Sequence, residues 1–222
     1  MTALLRYQSA LLLRSQRWLP PVLLYGIFVA VGAQAGDPVL DSLGYAAAAL
    51  LPVTAWLVRL CATQEPAAAR HVTAAASSPG RTHRAALLTA LGAAGVLGAA
   101  GTVVIMAMSD WASADHRVEV APVAAAAAGL AGAVVCALTG AAVGALCTWP
   151  LLRSPGWSLA LTALAALLSL VTTGSPAQAA VTGLISGSRT GTVHVPLLPL
   201  AVAALVACAA GAVACAVSSR RA

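Results

Sequence analysis

Six long apolar stretches occupy most of this 222-residue chain, and they restrict its possible folds more than any other feature. A helix needs about 20 mostly apolar residues, with a range of about 17–25, to cross the hydrocarbon core of a bilayer. None of the stretches alternates in polarity as the strands of a membrane barrel do. The sequence therefore predicts an all-α polytopic membrane protein with a single transmembrane domain (1–222) and six transmembrane helices, over residues 18–34, 39–61, 85–108, 122–148, 157–173 and 197–217.

The charged residues exclude several other classes of protein. Only 8% of the residues are charged, against about 25% in a soluble domain, so a water-facing surface could not be covered. All 12 basic residues are arginine, and a chain without lysine cannot form the Walker A site that binds nucleotide phosphates. The net charge of +6 is better explained by membrane orientation than by nucleic-acid binding. No metal site is predicted, because the five cysteines lack metal-ligand spacing.

The placement of the arginines predicts that both termini are cytoplasmic, because basic residues accumulate in cytoplasmic loops. With the N-terminus inside, ten of the 12 arginines lie in cytoplasmic segments, and only Arg117 and Arg189 lie outside. The acidic residues show the opposite bias, since Glu65 alone of the six is cytoplasmic. The chain is therefore predicted to be a multi-pass protein of the cell (plasma) membrane.

Segment 1–17 is predicted to be an interfacial amphipathic helix. At 100° per residue, Arg6, Arg14 and Arg17 lie on one side of the helix and Leu4, Leu5, Leu11 and Leu12 lie on the other. Such a helix lies in the plane of the cytoplasmic leaflet and contacts membrane lipid. The alternative is a positively charged leader that only sets the topology.

Two further segments are predicted to be helical without crossing the membrane. In segment 65–76, Glu65-Pro66 is a typical helix start, and residues 77–80 are typical of a helix end. This cytoplasmic helix lies against the membrane or a partner, unless it is only an ordered linker. The external segment 175–194 is predicted to form a re-entrant or surface half-helix that begins at Ser175-Pro176 and is broken at Gly183, Gly187 and Gly191. A plain flexible loop is the alternative.

The chain lacks the residues that several membrane activities require. No ionisable side chain other than Cys and Tyr lies in the middle of a span, which argues against ion- or proton-coupled transport. Ser186 and His194 are the only candidate catalytic pair, but the surrounding residues do not give a G-x-S-G nucleophile pattern. We therefore predict no catalytic residue.

The arrangement of these elements resembles the membrane (permease) subunit of type-2 ABC exporters, particularly the small Ala-rich permeases of actinobacteria. The stretch from Arg59 to Ala76 and the opening Arg6-Tyr7-Gln8 carry the resemblance. It implies that 65–76 is the coupling helix that docks on an ABC ATPase subunit. The implied coupling residues are Glu65, Pro66, Arg70, His71 and Thr73.

The resemblance also implies which subunit of the transporter binds ATP and which moves the substrate. ATP and Mg²⁺ belong to the separate ATPase subunit, and this chain is not itself an enzyme. A second permease copy or a homologue completes the transporter, with span one, two or five in the seam. The expected function is outward movement of an amphipathic or hydrophobic substrate, such as a peptide, lipid or drug-like molecule. The alternative is a non-transporting membrane scaffold, sensor or antimicrobial-immunity protein, which needs no ATPase at 65–76.

Overall fold

The computed structural model describes residues 1–115, 117–148 and 155–220, and within them it contains helices and no β-strand. The predicted all-α class is confirmed. The helices in these ranges are α1 (Thr2–Ser15), α2 (Leu19–Gly32), α3 (Val39–Thr63), α4 (Ala67–Ser77), α5 (Pro79–Met108), α6 (Pro122–Cys147), α7 (Pro155–Val171), α8 (Pro176–Thr190) and α9 (Leu197–Arg220).

Several of these helices are suited to a membrane. Helices α3, α5, α6 and α9 are long and apolar enough to cross one, and α7 with α8, bent by 46° at the break, forms a fifth candidate. Helix α2 is apolar but has 14 residues, about 21 Å at 1.5 Å per residue, against a hydrocarbon core of about 30 Å. The helices are consistent with a multi-pass membrane protein, while the count of six spans stays a prediction.

Helix α3 lies at the centre of the bundle, and α6 packs closely along it. A Cβ atom added at Gly144 would lie 2.9 Å from the carbonyl oxygen of Ala55, and one at Gly140 would meet the carbonyl oxygen of Leu51. Small residues let two helix backbones approach to this extent. The GxxxG pair of α6 therefore serves packing within the chain.

The glycine stripe of α5, which consists of Gly92, Gly95, Gly98 and Gly101, divides between two environments. A Cβ at Gly98 would lie 3.0 Å from a methyl carbon of Leu50, and one at Gly101 would meet the ring of Tyr25. At Gly92 and Gly95, by contrast, an added Cβ would meet nothing within 4 Å. Half of the glycine stripe thus packs inside the bundle, and the other half faces outward.

The segment predicted as an external half-helix contains α8, which packs against α3 and α6. Ala177, Ala180 and Leu184 are buried, and α8 continues through Gly183 and Gly187 to end at Gly191, whose φ is +69°. The predicted breaks at the first two glycines are wrong, because a glycine inside a helix weakens it without ending it. The packing favours an ordered element over a loose loop.

Several other helix bounds differ from the sequence analysis. The cytoplasmic helix predicted over 65–76 begins at Ala67, because Pro66 is its N-cap with an extended ψ, and Glu65 lies before the helix. Helix α1 ends at Ser15, before Arg17, because Gln16 adopts a left-handed conformation with φ 52°. Helix α5 begins at Pro79, six residues before the predicted start of the third span, since Pro79 occupies the first helical turn. A proline with its fixed φ is well suited to that position.

Candidate functional site

Helix α1 has one buried and one exposed side. Gln8 and Leu12, four positions apart, are only 1% and 5% exposed, and α1 packs against α5. Arg6, Arg14 and Arg17 are all exposed. The structure thus separates these arginines from the packed side, as the sequence predicts, while the interfacial position of α1 stays a prediction.

Glu65 connects α1 to α4 through two hydrogen bonds. It lies between α3 and α4 and is 6% exposed. Its Oε1 accepts a hydrogen bond from Gln8 Nε2 at 2.7 Å, and its Oε2 accepts one from Thr73 Oγ1 at 3.3 Å. Hydrogen bonds to a carboxylate are stronger than those between neutral groups. One side chain therefore holds two helices that are distant in sequence.

Gln64, at the end of α3, is also hydrogen-bonded within this group of polar residues. Its Nε2 donates to Gln8 Oε1 at 2.5 Å and lies 3.4 Å from the Gln8 carbonyl oxygen. Gln64 follows directly after the last residue of α3. We call Gln8, Gln64, Glu65 and Thr73 the polar junction, and it joins the middle of α1 and of α4 to the end of α3.

The negative charge of the polar junction acts on a neighbouring side chain of α1. The pKa of Tyr7 is raised above its usual value, first because the phenol is partly desolvated and second because the Glu65 carboxylate opposes a second negative charge. The Tyr7 hydroxyl can donate a hydrogen bond at the edge of the junction.

Helix α4 joins α5 through a single residue, Ser78. Its φ of 136° and ψ of 147° turn the chain sharply, and its Oγ accepts a hydrogen bond from the Arg81 amide at 3.4 Å. The hydroxyls of Ser77 and Thr82 are hydrogen-bonded across the turn at 3.1 Å. With so short a connection, a displacement of α4 moves the start of α5.

One side of α4 is left uncovered by the described part of the chain. Ala68, Val72 and Ala76 are exposed and recur every four residues, which places them along one side of the helix. Val72 is 69% exposed. We call these three residues the α4 stripe.

The predicted coupling residues divide into three groups. Glu65 and Thr73 lie in the polar junction, bonded to each other. Pro66 caps the start of α4 with an extended ψ of 151°. The side chains of Arg70 and His71 lie outside the described part of the structure, so their roles stay predictions.

Sequence reasoning missed the contribution of Gln8 and Gln64. Gln8 lies four residues from both Leu4 and Leu12, on the apolar side of α1. A polar residue on an otherwise apolar side of a helix needs a hydrogen-bond partner once it is buried. That position was the available signal, but the sequence does not show that the partner is Glu65.

The structure gives no support to catalysis by Ser186 and His194. Both residues are exposed, and the Ser186 hydroxyl donates to the Gly183 carbonyl of its own helix at 3.1 Å. A catalytic serine is instead hydrogen-bonded to its base. Among the described residues, no three His, Cys, Asp or Glu side chains are grouped closely enough to hold a metal ion.

Comparisons with protein-family models, curated proteins and solved structures found no match to this chain. The resemblance to exporter permeases therefore rests on the residues and on the arrangement of the helices.

Proposed function

We propose that this chain is the membrane permease subunit of an ATP-driven exporter that moves an amphipathic or hydrophobic substrate outward. ATP and Mg²⁺ bind to a separate ATPase subunit in this proposal. The observation that carries it is α4, a discrete helix at one end of the bundle that is fixed on one side and uncovered on the other.

The fixed side of α4 provides a route for mechanical coupling. Through Glu65 and Thr73 the helix is tied to α1 and to the end of α3, and through Ser78 it continues directly into α5. Helices α3 and α5 are two of the long apolar helices. A push on α4 is therefore passed to two candidate spans.

The uncovered side of α4 provides a surface for the partner. The α4 stripe is apolar and small, so a partner could approach the helix backbone closely. Covering a valine side chain contributes about 1.5–3 kcal/mol, which favours burial of Val72 in a complex. A linker helix with no partner gains nothing from such a stripe.

The proposed second permease copy has a suitable surface on α2, α3 and α7. A cavity of about 170 Å³ opens between these helices, and its lining includes Leu24, Pro52, Trp56 and Leu159. These three helices correspond to spans one, two and five, any of which the resemblance implies in the seam. Packing of two copies here would close the cavity and complete a path between them.

Copurification tests this proposal directly. The tagged chain is expressed in its native host, and the copurified proteins are assayed for ATPase activity that depends on Mg²⁺. We expect an ATPase subunit with the wild-type chain and its loss with Val72→Asp, which places a charge in the α4 stripe. Val118→Asp is the matched control, since Val118 is an exposed valine in the segment between α5 and α6.

The outcomes separate the transporter from the alternative functions. Retention of the ATPase by Val118→Asp and its loss from Val72→Asp support docking on α4. If no ATPase accompanies the wild-type chain, the scaffold, sensor or immunity function becomes the better proposal. If both variants retain the ATPase equally, the docking surface lies elsewhere.

A further inference from the structure

An apolar cleft lies between α2 and α5, on the side of α2 opposite Leu24. It has a volume of about 380 Å³, and Val22, Gly26, Leu97 and Val104 contribute to its walls. Its α5 lining runs from Leu97 to Met108, about 17 Å along a helix at 1.5 Å per residue. The cleft is therefore long and narrow, and it has the volume of a small-molecule site.

The Tyr25 ring contacts Gly101 between the two helices, and small residues leave open space beside that contact. An added Cβ at Gly26 would meet nothing within 4 Å, so α2 leaves open space where most residues would place a side chain. Across the cleft, Ala100 is also small and exposed. The open space at these two positions can hold a slender apolar occupant.

The mouth of the cleft, at the end of the bundle away from α4, is polar and negatively charged. Gln34 and Ser109 line this end. Asp37 accepts a hydrogen bond from the Gln34 amide through Oδ2 at 2.8 Å, and the Asp110 amide donates to the Asp37 carbonyl at 3.0 Å. Two carboxylate residues are thereby held beside the apolar cleft.

We infer that the α2–α5 cleft binds the single hydrocarbon chain of a cationic amphiphile, with the head group at the mouth beside Asp37 and Asp110. The apolar walls favour the chain because burial removes it from water. The two carboxylates favour a positive over a negative or neutral head group. The binding of such a ligand does not depend on the proposed function. Only the further statement that this ligand is the exported substrate rests on it.

The test uses the full chain purified into nanodiscs of zwitterionic lipid. The probe is a photoactivatable alkyl trimethylammonium, and an alkyl alcohol of the same chain length and photoreactive group is the neutral reference. Peptide mapping locates the adducts, and titration gives the half-saturating concentration. We expect adducts on α2 and α5, with the cationic probe binding about fivefold more tightly than the reference, a modest difference in free energy.

Substitutions then test the cleft and its mouth separately. Gly26→Leu fills the cleft and should raise the half-saturating concentration about tenfold or more. Gly92→Leu, also at an open helical glycine but outside the lining, should leave it unchanged. Asp37→Asn with Asp110→Asn should remove the preference for the cationic probe, while Asp115→Asn should retain it.

Each result decides for or against the inference. If Gly26→Leu fails to fold, Ala100→Leu fills the cleft from the opposite wall and replaces it. Unchanged binding in the variant that fills the cleft, or adducts spread evenly over α7 and α9, would overturn the site. A disulfide between two copies through Gly26→Cys would show that a second copy occupies the cleft and would also overturn it. Since no ATPase is used, these results are independent of the copurification test.

Discussion

The seam between α3 and α6 and the polar junction at α1 and α4 are held together in different ways. In the seam, glycines bring two backbones into contact, and Leu51 and Ala55 of α3 are completely buried. At the junction, four polar side chains join α1, α4 and the end of α3 through hydrogen bonds. The seam depends on shape, and the junction depends on a few polar atoms.

This difference indicates where the molecule can move. Close-packed cores resist displacement, because any shift opens voids or causes overlap. A small set of hydrogen bonds can be exchanged for others at lower free energy, since each contributes about 0.5–1.5 kcal/mol net, or about 1.5–3 kcal/mol where a carboxylate accepts. We therefore expect α3 and α6 to move as one unit and α4 to move relative to them.

Among these substitutions, Gly140→Leu should have the largest effect on stability, and it tests the α3–α6 seam. The new side chain would meet the carbonyl oxygen of Leu51, and backbone cannot withdraw as a flexible side chain can. We expect a loss of about 3 kcal/mol in the free energy of unfolding, the upper end for an overpacked core. Unfolding in mixed detergent–SDS micelles measures it.

The matched control for this seam variant is Gly92→Leu, whose added side chain faces open space. It should unfold close to wild type. If the two variants are equally stable, the seam is not packed on its glycines, and the contrast with the polar junction is wrong.

Glu65→Ala should have the second largest effect and should act locally. It removes the acceptor for Gln8 Nε2 inside a buried site, which costs about 1–3 kcal/mol. Hydrogen exchange should increase in α1 and α4 and stay unchanged in α6. Glu65→Gln keeps an acceptor oxygen and should retain most of the protection. Equal exchange in α6 and α4 would show that the junction is not an independent unit.

The sequence predicted the parts of the fold that depend on local signals. The bounds of α6 agree with the predicted span to within one residue, because an apolar run between Pro122 and a polar segment sets both ends. The start of α5 was not predicted, since breaker residues indicate a turn but not how soon the next helix begins. The pairing of Gln8 with Glu65 crosses 57 positions, and no local pattern specifies so distant a contact.

Ser78→Gly should have the smallest effect and should sharpen the description of the α4–α5 joint. Serine is strained at φ 136° and ψ 147°, by about 1–3 kcal/mol. Glycine removes that strain and loses only a few tenths of a kcal/mol of helix capping. The expected net result is a gain of about 1 kcal/mol in stability, measured in the same micelles. A loss of stability would show that the Ser78 hydroxyl matters more than the backbone strain.

Photocrosslinking from position 72 in living cells tests the central claim, that α4 contacts an ATPase, most directly. A benzophenone amino acid replaces Val72, and the same residue at position 118 serves as the control. The account predicts a crosslinked product at position 72 that contains a nucleotide-binding protein and is absent at position 118. Crosslinking from position 72 to lipid alone, or to the same proteins as from position 118, would contradict the account.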